Sequence, residues 1–231
     1  MLASPSSTLD GVEVLRLTTE ASLEQYVKLY LRLPIAPTRI GPIARIFDYV
    51  ANAAPGVREI LTLGKIAWEA RDGGWDVVVV DGPATGHVIE LMAAADNLGD
   101  LIGFGPLADQ TAWISELVAD PVRTMAWVVT NAEELPVSET FELLARLDAE
   151  TNVTVAGIVM NRMPPRAANL PEASALVAGG GGLGLAVAAA LVRTAAAERQ
   201  RSRLDGLVLP VITVVDSDDP VEAVVAAWSD Q

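Results

Sequence analysis

The chain contains no cysteine, one histidine and only two lysines, Lys28 and Lys65, and 5% of its residues are aromatic. Without cysteine there is no disulfide, no thiolate metal site and no cysteine nucleophile, which fits a reducing, cytoplasmic location. Basic residues are scarce overall: 16 Lys and Arg stand against 30 Asp and Glu, for a net charge of −14. Phosphate contacts need clustered Lys and Arg, so a nucleic-acid backbone is not an expected partner. The sign is also wrong for anionic membrane surfaces. No apolar run is expected to reach the roughly 18 residues that span a bilayer. Met1 to Asp10 lacks a basic and then apolar stretch, so no signal peptide is expected there.

What is present is a regular alternation of apolar segments and turns. At 231 residues and 51% hydrophobic composition, one α/β domain over 1–231 with a full core is expected. Met1 to Asp10 reads as loose, and Val12 to Leu17 as a short strand. A helix from Thr18 or Thr19 would bury Leu23, Tyr26, Val27 and Tyr30, and a second helical stripe runs through Ile43, Ile46, Phe47 and Val50. Pro55-Gly56 starts a helix that Asp72-Gly73-Gly74 ends. Later helices are expected around Leu107–Val118, after Pro136, over Leu185–Leu204, and from a cap at Asp218 or Asp219 with Pro220 in the first turn. Met125–Thr130 and Val153–Met160 read as buried strands, and Val208–Val215 as an edge or bulged strand interrupted by Pro210.

Arg166 to Gly184 reads as a flexible surface loop. Its glycine run, Gly179 to Gly184, formally satisfies G-x-G-x-x-G. No strand precedes it and no Lys-Ser/Thr pair completes a phosphate loop, so a linker is the expected reading.

The chain is organised around Trp75 to Leu91, WDVVVVDGPATGHVIEL. Val77 to Val80 read as a strand buried on both faces of a parallel sheet, ending at Asp81. A tight Gly-Pro turn and a helix with Val88, Leu91, Met92 and Ala95 inward follow. Ligands of open α/β sheets bind at the carboxyl ends of the strands. Two readings of Asp81 fit: a carboxylate that holds the water shell of Mg²⁺, or a cap for the helix that follows. Asn161, at the end of the Val153 strand, has an amide that suits the edge of an adenine ring and equally suits a turn before Pro164-Pro165.

Asp81-Gly82-Pro83-Ala84-Thr85-Gly86-His87 resembles the switch II segment of the arsenical-pump and tail-anchored-protein-targeting ATPases, whose usual form is Asp-Thr-Ala-Pro-Thr-Gly-His. The proline here comes one place early, and Gly82 stands where Thr is usual. Three further segments look like that family: Pro55-Gly56 with Glu59, the turn Asn131 to Pro136 with Glu139-Thr140 behind it, and Leu209-Pro210. The resemblance implies a P-loop NTPase-like fold, a mostly parallel sheet with helices on both faces in three α/β/α layers. It implies ATP and Mg²⁺ as cofactors, with Asp81 on the metal's water and Thr85 and Gly86 sensing the γ-phosphate. His87 would couple the switch to its helix, or simply pack in the turn. Asn161 and Arg162, with Pro210, Val211 and the loop beyond, would flank the base. Partners implied are a homodimer or a heterodimer with a related ATPase, and a protein cargo or membrane partner. A non-hydrolysing subunit pairing with an intact homologue is the alternative.

The family's glycine-lysine phosphate loop, Gly-Lys-Gly-Gly-x-Gly-Lys-Thr/Ser, and its switch I Asp-Pro segment do not occur in these residues. The first strand and phosphate loop are therefore expected to be missing, and the chain is expected to be a fragment or to have a misassigned start. The methionine-rich insertion of tail-anchored-protein targeting and the cysteines of metalloid transport are absent too. A transferring phosphoryl group needs loop amides, lysine and metal together. Residues 1–231 alone should thus neither bind ATP at micromolar concentrations nor hydrolyse it above background. Calorimetry and phosphate release check this, and clear turnover would refute it.

Overall fold

The computed structural model describes residues 7–9, 11–17, 57–101, 106–166 and 170–229. The two helices expected between Thr18 and Val50 lie outside the described residues. The chain forms two units: Met1–Thr124 with Leu147–Val153, and Met125–Arg146 with Thr154–Gln231.

The first unit opens with a small antiparallel hairpin, β1 (Ser7–Leu9) against β2 (Val12–Val14), with Leu9 opposite Val12. Part of the stretch expected to be loose is thus a strand, paired with β2 through the chain reversal at Gly11, which has φ 85°. The core comes from three helices: α1 (Val57–Asp72), α2 (Thr85–Leu101) and α3 (Pro106–Ala119). On α1 the buried Ile60, Leu63 and Ala67 recur at helical spacing. They meet Ile89, Ala93 and Ala94 from α2 and Ile114, Leu117 and Val118 from α3, all buried.

Two polar groups sit inside this apolar unit. Lys65 and Glu69 are buried on α1 and paired one helical turn apart. The Trp75 indole N–H donates to the second Glu69 oxygen at 2.9 Å, so the carboxylate has a partner on each side. That satisfaction matters because an unpaired buried charge costs several kcal/mol. Asp96 on α2 accepts from the Ser115 hydroxyl on α3 and from Asn152 Nδ2, the latter at 2.9 Å, so one carboxylate links three segments.

Val77 to Val80 are not a buried strand. Val77 is 77% and Val79 88% exposed, and residues 77–84 have no regular structure. A β-branched run becomes a strand only when a neighbouring strand takes its N–H and C=O groups. Among the described residues, none does so for these four valines.

The second unit is built on a parallel sheet of order β3-β4-β5, from β3 (Met125–Asn131), β4 (Thr154–Met163) and β5 (Val211–Val215). Val128, Ile158 and Val211 share a level, as do Thr130, Met160 and Thr213. With α4 (Glu134–Glu150), α5 (Leu170–Gly179), α6 (Gly181–Arg203), a 3₁₀ turn (Leu204–Gly206) and α7 (Pro220–Ser229), this is the expected α/β architecture, consistent with a three-layer P-loop NTPase-like fold. Asp219 caps α7, its Oδ1 accepting from the N–H groups of Val221 and Glu222 at 3.1 and 3.0 Å.

Three expectations change here. Strand β3 is not buried on both faces: Val128 and Thr130 are covered, whereas Met125, Trp127 and Val129 face outward. Strand β5 starts after Pro210 rather than running through it, since proline offers no N–H to the ladder. Within the segment expected as a loop, residues 170–179 and 181–184 are helical. They form α5 and the first turn of α6, with the glycine run as the tight reversal between two packed helices. Among the described residues one helix, Gly181–Gly206, is long and apolar enough to cross a membrane by length and composition, contrary to expectation.

Gly157 lets β4 accept its neighbours. A Cβ there would stand 2.4 Å from the Trp127 ring and 2.9 Å from the Pro210 carbonyl oxygen. That oxygen accepts the Ile158 N–H at 2.9 Å, and the Trp127 ring packs 4.8 Å from the Trp228 ring of α7. Gly157→Ala should therefore cost about 1–3 kcal/mol by overpacking. Urea unfolding measures it, and an unchanged midpoint would refute the account.

Candidate functional site

In the first unit the candidate residues form one contiguous run. Asp81 is exposed and lies in the irregular segment that leads to α2. Thr85, Gly86 and His87 are the first three residues of that helix. The Ala84 carbonyl accepts the N–H groups of His87 and Val88 at 2.9 and 3.3 Å, closing the first turn. The first turn carries no acidic residue, so the positive end of the helix is not neutralised from within. The backbone N–H groups of Thr85 and Gly86 precede the first intrahelical bond, and a helix start of this kind favours an anion such as phosphate. Gly86 has open space around it.

His87 Nδ1 lies 3.1 Å from Glu90 Oε2, with both side chains largely exposed. His87 is thus tied to its own helix rather than packed inside the turn. Sequence reasoning missed Glu90, although a carboxylate three residues along a helix always lies within reach. Asp81 does not cap α2: no backbone N–H of the helix donates to it among the described residues. No group of three or more His, Cys, Asp or Glu that could hold a metal occurs among the described residues. Asp81 alone fits a carboxylate that touches a metal through water, which needs one oxygen rather than a full ligand shell.

In the second unit Asn161 and Arg162 lie within β4, near its carboxyl end, where a register shift interrupts pairing between Met160 and Met163. The Asn161 Oδ1 accepts the Arg162 N–H at 2.9 Å, and Arg162 has φ 53°. A left-handed backbone costs a non-glycine residue roughly 1–2 kcal/mol. Here the Asn161 side chain helps to hold it. Asn161 therefore does the work of a turn, while its Nδ2 donates to no described residue. Asn131, which ends β3, stands directly opposite Asn161. The two strand ends present an asparagine pair that the sequence hinted at only through an Asn closing each strand.

Pro210 and Val211 lie elsewhere in the sheet. Val211 pairs with Ile158, three residues before Asn161 on β4, and Pro210 precedes the strand. At about 3.3 Å per residue this separates them along the strand by roughly 10 Å. The segment that reaches the carboxyl edge beside Asn161 is instead the end of β5, where Val215 pairs with Met163 and Asp216 N–H donates to the Met163 carbonyl at 2.8 Å.

The parallel sheet with its flanking helices is consistent with a P-loop NTPase-like class of fold. Comparison with known proteins narrows the class. Residues 41–105 match the anion-transporting ATPase family model, a span that contains the whole Asp81–His87 run. ATPase BagA of Mycobacterium tuberculosis (strain H37Rv) is 28% identical over 160 residues, covering 67% of this chain and 46% of that protein. Two proteins provisionally named as ATPases, from Mycobacterium bovis and from a second M. tuberculosis strain, match equally. Over these residues the chain is similar to the anion-transporting, ArsA-like ATPases, a family that generally uses ATP and Mg²⁺. The chain spans about half the length of the curated relatives it matches.

Asn161→Ala leaves the Arg162 N–H without its acceptor and should lower stability by about 0.5–1.5 kcal/mol. Asn161→Asp keeps an acceptor in place and should lose much less. Equal losses in urea unfolding would show that the bond does not hold the turn.

Proposed function

We propose that this chain supplies the switch II and base-binding elements of an ATP-binding and ATP-hydrolysing domain of the ArsA-like family. The observation that carries the reading is the Asp81-x-x-x-Thr85-Gly86-His87 run, which lies in the family-matched segment and opens α2. Bound Mg²⁺ would neutralise the charge that develops on the transferring phosphoryl group.

Each residue has a task in that reading. Asp81 holds a water of the metal shell through its exposed carboxylate. The Thr85 and Gly86 amides receive the terminal phosphate at the positive end of α2. His87, tethered to Glu90, passes the presence or loss of that phosphate to the helix. Asn161 donates from Nδ2 to the base edge, because its oxygen is already engaged by Arg162. Arg162 is fixed in position by the same bond. Pro210 and Val211 set the level of β5, whose far end carries the Asp216–Asp219 loop to the carboxyl edge beside Asn161. The protein works in the cytoplasm, paired with a second copy or a related ATPase, and relays hydrolysis to a protein cargo or membrane partner.

The test uses this chain in a full-length protein that includes a phosphate loop. Asp81→Asn should abolish phosphate release while ATP binding by calorimetry stays within about twofold, since metal-water alignment matters chiefly in the transition state. Asn161→Asp should weaken ATP and ADP alike by about tenfold, the loss of one buried hydrogen bond. Unchanged turnover in Asp81→Asn would reject the catalytic reading and favour a non-hydrolysing subunit that pairs with an active homologue.

A further inference from the structure

The hairpin of α5 and α6 is the part of the chain that the ATPase reading does not use. From Ala173 to Val192 there is no charged residue, and Ser174 is the one side chain with a hydroxyl. Leu176, Val177, Leu183, Leu185 and Val192 are all exposed, and on the two helices only Ala173, Gly184 and Ala197 are buried.

The hairpin is well made despite this exposure. Gly180 has φ 69° and its N–H donates to the Val177 carbonyl at 3.1 Å, so the reversal is a defined turn. A Cβ on Gly184 would come within 2.7 Å of the Leu176 carbonyl oxygen, so glycine there allows the two backbones to touch. The result is a two-helix projection that is apolar at its tip.

Its charge runs against that of the whole chain. Between Arg166 and Leu204 there are five arginines and two glutamates, +3 in a chain of −14. The arginines begin where the apolar stretch ends. Arg166 pairs with Glu198 at 2.8 Å and Arg201 with Asp205, while Arg193 and Arg199 make no such pair among the described residues. The whole-chain charge excludes an anionic surface only as an average.

Three features identify what covers this tip. Leu183 and Leu185 lie two positions apart, on opposite sides of α6, and are 63% and 73% exposed. A helix that is apolar all round is immersed on every side, whereas a protein partner covers one stripe. Second, Gly181 to Val192 spans about 18 Å at ~1.5 Å per residue, close to the roughly 15 Å of one leaflet's hydrocarbon. Third, that length brings Arg193 to the level of the lipid phosphates, where basic side chains are favoured.

We propose that the α5–α6 hairpin is a membrane anchor whose uncharged tip enters one leaflet of an anionic bilayer, with Arg193 and Arg199 at the headgroups. It does not cross, because the turn at Gly180 returns the chain to the side from which it entered.

The absence of cysteine makes a clean test possible. Leu183→Cys in the full chain takes a single environment-sensitive fluorophore. With phosphatidylglycerol/phosphatidylcholine vesicles its emission should shift to the blue, and the protein should float with the vesicles. Arg193→Gln with Arg199→Gln should reduce flotation by about tenfold or more, given the attraction of each basic residue to anionic lipid. Leu185→Asp should abolish it, with far-UV circular dichroism and the melting temperature unchanged because Leu185 is exposed. A label that stays water-like with vesicles would overturn the proposal. So would a blue shift that needs no lipid and fades on dilution, since a second copy would then cover the tip.

Discussion

Everything in the second unit hangs on β4, because it is the strand that has a neighbour on both sides. It gives N–H and C=O groups to β3 along one edge and to β5 along the other, so its pairing sets the level of every residue at the carboxyl end. Parallel ladders have no local turn to align them, and the register must come from the packing of the faces. Gly157 is where that packing is tightest. Its missing side chain lets the Trp127 ring cross β4 towards Trp228, and lets the Pro210 carbonyl approach the Ile158 amide. The level of β5, and hence the displacement of Pro210 from Asn161, follows from that approach.

The end of β4 shows how one side chain can hold a strained backbone. The register shift beyond Met160 and the left-handed Arg162 would be a weakness without the Asn161 oxygen that accepts its amide. Two readings of Asn161, a turn and a base contact, compete for one side chain only if it has one polar atom. It has two, and the structure occupies the oxygen while the amide remains to donate.

The first unit depends on a different device, the satisfaction of charges inside an apolar three-helix core. Glu69 is held by Lys65 and by the Trp75 indole, and Trp75 opens the segment that leads to Asp81. The candidate catalytic run is therefore anchored at both ends, by a buried carboxylate behind it and by the first turn of α2 ahead. Between those anchors Val77, Val79 and Val80 stay exposed.

Local pattern and motif were enough for the sequence to determine the helices α1, α2, α3 and α4, the strands β3 and β4 within a few residues, a cap at Asp218 or Asp219, and the resemblance carried by Asp81 to His87. Each rests on contacts within a few residues or on a short chemical signature. Long-range partners were invisible to it. Four valines have the same strand propensity whether or not a neighbouring strand exists, and only the tertiary structure decided that these four have none among the described residues. Pro210 reads as part of a strand until the Ile158 amide selects its carbonyl and the strand begins after it. Four glycines read as a linker because glycine is flexible alone; the structure makes them a defined turn, and Gly184 just beyond them lets the two helices pack closely against the Leu176 carbonyl. Propensity belongs to the residue, and pairing belongs to the neighbour.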